Sequence, residues 1–442
     1  MKIMFVSLGC DKNLVDSEIM LGLIREQEYE ITNNEEEADI IVINTCCFIN
    51  DAKEESVNVI LEMAENKKTG NCKVLIVTGC LAQRYQDEIL KEINEVDAVL
   101  GTSSYDMIIT AIDQALKGQK YTMYKNINKN PISSADRVNT TGGYFAYLKI
   151  AEGCNNLCTY CIIPKIRGKY RSRPIEEIIK EVKLLAKKGI KELILVAQDT
   201  SVYGIDLYSK YELPKLLEKI CSIEGIEWIR LLYCYPEEIT DELLYTMKRH
   251  DKICNYLDMP IQHINDEILK KMGRKTSKAT IESRIKKIRE ILPNITLRTT
   301  VITGFPGETE KQHEEVVDFV NEIRFDRLGV FVYSKEEDTP ASKLPNQIDE
   351  EIKKTRQEEI MLTQQIISRE KSREMLGKEI DVLIEGWLSE ENVYVGRSYK
   401  DAPNVDGFVF VKNVDKELIS GEIIKVKVVE ASEYDLIGEM IK

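Results

Sequence analysis

No apolar run in this 442-residue chain approaches the roughly 18 to 20 residues that a membrane-spanning helix needs. Its 43% hydrophobic and 31% charged residues are instead the proportions of a soluble globular protein. The N-terminal run from Met1 to Ser7 passes straight into a strand pattern, without the longer apolar stretch and small-residue cleavage site of a secretory signal. The expected compartment is therefore the cytoplasm. Histidine is scarce, with only His250, His263 and His313, and of these only His263 has a strand-end position. Positive charge is in deficit. Lys plus Arg against Asp plus Glu stands at 11 against 22 in residues 1–124, 42 against 38 in 125–373 and 8 against 15 in 374–442, giving a net charge of −14. A mildly basic centre lies between two acidic ends.

Cysteine, by contrast, is plentiful. In a reducing compartment eleven cysteines read as ligands or buried thiols, not as a disulfide framework. Three of them, Cys154, Cys158 and Cys161, follow the strand-like Tyr144–Ile150 in a C-x3-C-x2-C loop, with no fourth cysteine or histidine nearby. Structural zinc wants four protein ligands and catalytic zinc usually employs histidine, so neither suits this loop. A cubic iron-sulfur cluster held by three thiolates keeps one iron open to an exogenous molecule, which is then where the chemistry takes place.

In the N-terminal third, apolar runs at Lys2–Ser7, Asp39–Asn44, Lys73–Thr78 and Val96–Leu100 alternate with amphipathic stretches. That βαβ rhythm predicts a Rossmann-like, doubly wound parallel sheet. Cys10, Cys46 and Cys80 each follow one of the first three strands by two or three residues, two of them after a glycine. Carboxyl ends of parallel strands share one edge, so these residues are expected to converge there as ligands of a second cluster. Singly, each reads as a small buried residue in a tight turn. Cys47 adjoins Cys46 and is an alternative ligand, although Cys46 holds the better register with the other two. Cys72, Cys221, Cys234 and Cys254 have no metal-like spacing and read as core or surface residues.

From Tyr144 to Val332 six strand–loop–helix units predict a partial (β/α)6 barrel, whose chemistry belongs at the carboxyl ends of the strands. Polar or glycine-rich signals stand at three further strand ends: Gln198 and Asp199 after the second, Gln262 after the fourth, and Ile302 to Glu308, including Gly304, Phe305 and Pro306, after the fifth. Just past the cysteine loop, Lys165, Arg167, Lys169, Arg171 and Arg173 form a basic stretch. It is expected beside the site, holding a cofactor, an anionic substrate or the acidic N-terminal domain, or else as a solvated loop. A charged helix over Asp349–Met375 leads to five short β-type runs, which predict a small antiparallel barrel.

The C-x3-C-x2-C loop with Tyr160 before its last cysteine resembles the radical S-adenosylmethionine (SAM) superfamily, and Val301 to Glu308 resembles that family's adenine-binding segment. With Cys10, Cys46 and Cys80 upstream and a TRAM-type barrel downstream, nearly the whole chain resembles the methylthiotransferases. The strings Ser7–Glu18, Asn44–Ala52 and Ala151–Gly168 look like the branch that modifies an aspartate of ribosomal small-subunit protein twelve; Cys47 departs from it, where that branch usually has glycine.

The resemblance implies two [4Fe-4S] clusters on the six cysteines, SAM as radical source and methyl donor, and a flavodoxin- or ferredoxin-type electron donor. SAM contacts are expected from Tyr160, Gln198, Asp199, Gln262, Ile302, Gly304, Phe305, Pro306 and Glu308, with no catalytic residue named beyond the cluster ligands. The implied domains are 1–124 for the second cluster, 140–372 for the barrel and 373–442 for substrate recognition. A modified adenosine in tRNA is the alternative substrate, but phosphate neutralisation needs basic surface and residues 374–442 are acidic. Two other classes stay open: a radical SAM enzyme whose second cluster only relays electrons, and a non-catalytic RNA-binding protein.

Overall fold

The computed structural model describes residues 1–27, 29–129, 137–412, 414 and 416–441. They fall into two compact units. The first joins Met1–Thr140, Lys149–Arg173 and Ser334–Ser342; the second joins Thr141–Leu148, Pro174–Tyr333 and Lys343–Lys442. The cysteine loop at 154–161 thus packs in one unit with the N-terminal sheet.

That sheet comprises β1 (Lys2–Ser7), β2 (Glu30–Ile31), β3 (Ile40–Thr45), β4 (Val74–Gly79), β5 (Ala98–Leu100) and β6 (Tyr121–Met123), all parallel, in the order β2-β1-β3-β4-β5-β6. Its central strands β3 and β4 are buried at every position, as the apolar runs Ile-Ile-Val-Ile and Val-Leu-Ile-Val demand when helices cover both faces. The short edge strands β2 and β6 escaped the sequence reading because two or three residues carry no usable periodicity. Strand order reverses between β1 and β3, and in such sheets ligands gather where that reversal opens a crevice.

The second sheet runs β7 (Phe145–Lys149), then β10 (Glu192–Val196), β11 (Trp228–Leu231), β12 (Ile253–Asp258), β13 (Thr296–Thr303) and β14 (Arg327–Val332), each beside its predecessor. Two short strands intervene in sequence, β8 (Ala151–Glu152) and β9 (Arg171–Ser172), which pair antiparallel and clasp the two ends of the cysteine loop. From β10 to β14 the pairings are parallel, so all these strands deliver their carboxyl ends to one edge. This is the partial barrel. Helices such as Ile175–Lys187, Lys278–Ile291 and Glu310–Ile323 make the return crossings, the last opened by a capping box between Thr309 and Gln312.

After the helix Glu350–Arg373, strands β15 (Glu379–Leu388), β16 (Val393–Ser398), β17 (Val409–Lys412), β18 (Ile423–Ala431) and β19 (Leu436–Met440) close in the order β15-β16-β17-β19-β18. Alternate residues Ile380, Val382, Ile384, Val409, Val411, Val426 and Val428 fill its interior. Four of the five pairings are antiparallel; β17 and β19 run parallel.

Candidate functional site

Tight turns bring the first trio of thiols together. Gly9, at φ +85°, precedes Cys10, and a Cβ there would stand 2.6 Å from the Cys46 Cβ and 2.8 Å from its sulfur. Only glycine lets the end of β1 lie so close to Cys46. Gly79, at φ +94°, does the same before Cys80, pressing against Asn44 and Thr45 at the end of β3. Ser56 pins Cys46 from both sides, its hydroxyl accepting from the Cys46 N–H at 3.0 Å and donating to its carbonyl at 2.8 Å. Burial pushes the Cys80 thiol up to about 12, Arg167 pulling the other way, and burial also raises Cys46, with neighbouring Cys10 adding to it. A thiolate ligand must be deprotonated, so loading metal on Cys80 must expel its proton.

Cys47 is fully buried among Ile41, Leu75, Leu81 and other apolar residues beneath the sheet edge, and burial pushes its thiol well up. Cys46 is the one whose sulfur abuts the Gly9–Cys10 turn.

The second trio is formed by one loop. Gly153, at φ +80°, allows the chain to turn against the Lys169 and Gly168 carbonyls, and the Cys154 N–H donates to Gly168 O at 3.1 Å. The Cys161 N–H donates to Cys158 O at 3.0 Å, Thr159 O accepts from the Ala341 N–H at 2.9 Å, and Tyr160 lies half-buried between the last two cysteines. Burial raises the Cys161 thiol, followed by the influence of Cys158 and then Cys154.

Among the described residues no three His, Cys, Asp or Glu side chains are gathered so as to hold a single metal ion. A cubic cluster asks for something else: each thiolate binds its own iron, so the ligands surround a body and not a point. Two all-thiol donor sets, three side chains each, suit iron-sulfur chemistry better than zinc, calcium or magnesium.

Behind the first trio lies a buried polar knot that the sequence reading missed. The helix Asp11–Arg25 buries Asn13, Asp16, Ser17 and Glu18. Asn13 donates to Leu8 O at 3.0 Å and Thr45 O at 2.8 Å, tying the ends of β1 and β3. Arg167, 2% exposed, reaches Asp16 at 2.7 Å, Glu152 at 3.0 Å, Asn13, and the Cys80 sulfur at 3.5 Å. Lys149 completes the knot on Asp16 and on Glu152, the latter at 2.8 Å. The only signal for it was a polar run, Asp11 to Glu18, placed where a helix must be buried.

Three other members of the basic stretch reach backbone carbonyls. Arg171 donates to Arg167 O at 3.1 Å, Arg173 to Lys149 O at 2.7 Å and Lys165 to Asp338 O at 2.8 Å. Of the roles expected for it, contact with the acidic N-terminal domain is the one that appears, through Arg167 and Asp16.

In the second unit the expected SAM contacts stand at the carboxyl edge of the barrel strands. Gln262, at φ +69°, bonds through its backbone to Thr300 O at 2.8 Å and to the Ile302 N–H at 2.7 Å, stitching β12 to β13. Its side-chain Oε1, the Thr303 hydroxyl and the Thr200 hydroxyl are buried without a hydrogen-bond partner. Buried polar atoms of this kind mark places where a ligand completes the bonding. Asp199 is buried and accepts from Ser201 at 2.6 Å, while Gln198 is half-buried.

Glu308 turns inward, accepting from the Gly304 N–H at 2.8 Å and the Phe305 N–H at 3.2 Å and pairing with Arg356 at 2.9 Å. It shapes the Gly304–Pro306 turn from beneath. Phe305 is fully buried edge-on to Tyr333, at 5.4 Å between ring centroids.

Three family models match the chain: uncharacterized protein family UPF0004 over residues 2–101, the radical SAM superfamily over 148–320 and the TRAM domain over 376–441. The chain is 60% identical to a ribosomal protein uS12 methylthiotransferase RimO from Lachnoclostridium phytofermentans, over 99% of both chains. Proteins of that name from Clostridium botulinum, at 53% over 99% of this chain and 97% of theirs, and Clostridioides difficile, at 52% over 100% and 99%, are also similar. Among solved structures, the radical SAM methyltransferase TsrM from Kitasatospora setae, with cobalamin and a [4Fe-4S] cluster bound, shares the fold at TM-score 0.56 and 12% identity, over 77% of this chain and 73% of that one. An all-thiol loop that follows the strand β7, three further thiols at a Rossmann-like sheet edge, a closing barrel and relatives matched end to end agree on one assignment: the chain belongs to the ribosomal protein uS12 methylthiotransferase family, RimO.

Proposed function

We propose that the chain is a radical SAM methylthiotransferase that forms a methylthio group on the β carbon of an aspartate in ribosomal small-subunit protein uS12. The observation that carries this is the 60% identity, over nearly the full length, to a relative named for methylthio transfer to that protein. The gathering of all six motif cysteines into one compact unit supports it independently. In this reading Cys154, Cys158 and Cys161 hold one [4Fe-4S] cluster, and Cys10, Cys46 and Cys80 hold a second. When bound, SAM and the clusters would supply the radical and the methyl group and a centre at which sulfur is handled, which a C–H bond without an acidic proton requires.

The chain's own residues do the positioning. Gly9, Gly79 and Gly153 allow the close turns that aim the thiols. The Gly304–Pro306 turn, held by Glu308, presents backbone groups to the adenine, and Gln198, Asp199, Gln262 and Ile302 of the same unit are further SAM contacts, with Tyr160 of the cysteine loop assigned the same role. Residues 1–124, 140–372 and 373–442 serve as cluster domain, barrel and substrate-recognition module. The protein works in the cytoplasm with a flavodoxin- or ferredoxin-type reductant.

Mass spectrometry of uS12 and of tRNA from cells lacking the gene tests the substrate. Loss of the methylthio group on uS12 is expected, and its loss on tRNA alone defeats the assignment. In the purified protein Cys154→Ala should abolish reductive SAM cleavage, whereas Cys10→Ala should spare cleavage and stop sulfur insertion. Loss of cleavage in both would make the first trio structural or a relay.

A further inference from the structure

Arg167, like Lys149, touches both halves of the metal-binding apparatus, and it also reaches a ligand sulfur. Through Asp16 and Asn13 it grips the helix that starts at Cys10, and through Glu152 it grips the strand two residues before Cys154. Its remaining reach goes to a ligand: Nη2 lies 3.5 Å from the Cys80 sulfur as donor. Asp16, Glu152, Lys149 and Arg167 have side chains 2–9% exposed and balance two negative charges against two positive. The charges of the knot are thus already paired before any cluster arrives. A guanidinium is permanently charged and planar, and here one nitrogen of its fork serves the two carboxylates while the other reaches the sulfur, a split that the single nitrogen of an ammonium cannot make.

We propose that Arg167 is a positioning residue that sets the reduction potential of the N-terminal cluster, by donating a charged hydrogen bond to the Cys80 sulfur. The inference rests on the reading that Cys80 ligates such a cluster. Potentials of iron-sulfur centres depend on net charge and on hydrogen bonds to the ligating sulfurs, and in a water-poor interior one such bond is strong. A cation donating to the sulfur favours the more negative, reduced state and so raises the potential. The same residue acts on the N-terminal cluster alone, because its contacts with the Cys154–Cys161 loop go through Glu152 and not through a ligand.

The test uses the full chain in two backgrounds. Cys154→Ala, Cys158→Ala and Cys161→Ala together leave only the N-terminal cluster, whose midpoint potential is read by redox titration with electron paramagnetic resonance. Arg167→Gln, combined with Asp16→Asn so that the buried charges still balance, should lower that potential, and Arg167→Lys should lower it less. In the complementary background, with Cys10→Ala, Cys46→Ala and Cys80→Ala, the same substitutions should leave the other cluster's potential within error of its parent. Loss of iron from the first background on these substitutions overturns the proposal, since it makes Arg167 a structural support of the site and not the residue that sets its potential. An unchanged potential in the first background overturns it, as do equal shifts in both. Absence of iron from the unsubstituted first background defeats the two-cluster reading itself, and the inference with it.

Discussion

Gly304→Ala puts the strand-end turn of the barrel to a quantitative test. Gly304 has φ +72°, and an added Cβ would lie 2.2 Å from Lys353 Cγ and 3.0 Å from its Cβ and Cδ. The left-handed backbone alone costs an alanine about 1–2 kcal/mol. Lys353 cannot swing aside freely: it is 2% exposed, and its amine is anchored on Tyr333 O at 3.0 Å and Glu350 at 2.6 Å. Overpacking a site of this kind costs about 1–3 kcal/mol, so the total loss is about 2–5 kcal/mol. Both tryptophans, Trp228 and Trp387, belong to the second compact unit, so their fluorescence during urea unfolding reports that unit alone. Combining Gly304→Ala with Lys353→Ala removes the 2.2 Å clash with Cγ and the contact with Cδ, and leaves the backbone cost and the 3.0 Å approach to the Lys353 Cβ. The two substitutions should therefore couple favourably by about 1–3 kcal/mol in a double-mutant cycle. Zero coupling would refute the steric argument, and unchanged stability of Gly304→Ala would refute both parts.

Glu192 is fully buried between Arg230 at 2.8 Å and Arg397 at 2.7 Å, on β10, β11 and β16, and these two cations hold its carboxyl below the usual range against the burial that opposes them. Glu192→Gln takes the carboxylate from the buried Arg230 and leaves Arg397 with Glu385, and should cost about 3–5 kcal/mol by the same fluorescence assay. Because the folded pKa is lowered, the stabilisation is present above the ordinary carboxylate range and is lost as pH falls through the folded value. Burial, with His313 and Arg356 adding to it, brings His263 down from 6.5 to about 3. The unfolded chain then takes up a proton that the folded one refuses, so stability falls as pH drops from about 6.5 to about 3 and levels off below. His263→Gln should make the urea midpoint fall less between pH 7 and pH 5, and an identical fall would contradict a neutral buried imidazole. Thr309→Ala removes the cap of the helix Glu310–Ile323 and should cost about 1 kcal/mol, with loss of helix signal on heating at a lower temperature.

The cysteine positions were legible because parallel strands hand their following residues to a shared edge. Cys10, Cys46 and Cys80 needed only the strand pattern to be placed, and a loop of three thiols without a fourth ligand is rare enough to identify by spacing. The Arg167 knot was not legible, because it depends on which face of the helix Asp11–Arg25 turns inward. That helix buries Asn13, Asp16 and Glu18 alongside Val15 and Ile19, so apolar periodicity misstates its buried face. The basic stretch at 165–173 illustrates the same limit: its charge was visible, but not that Arg171 and Arg173 would be used on backbone carbonyls. Glu308 likewise stood inside a recognisable ligand-binding string, yet its carboxylate faces the turn it supports.

The terminal barrel sharpens the choice of macromolecular substrate beyond its net charge. Counterion release, which drives binding to RNA, requires lysines and arginines available to phosphates. Arg397 is instead fully buried on Glu192 and Glu385, and Lys400 is drawn to Asp326. On the barrel surface Lys412 pairs with Glu430, Lys416 with Glu422 and Lys425 with Asp381, each within 3.3 Å. Cations already matched by neighbouring carboxylates have little to offer a phosphate backbone, whereas Glu390, Glu391, Glu417 and Glu433 stand exposed. Such a surface attracts a lysine- and arginine-rich protein at long range and repels nucleic acid. Association with uS12 should accordingly slow as salt rises from low to physiological strength. Neutralising Glu390, Glu391 and Glu417 together to Gln should reduce the on-rate several-fold at low salt, with little change at high salt. An on-rate indifferent to both salt and these substitutions would remove electrostatics from any part this barrel plays in recognising uS12.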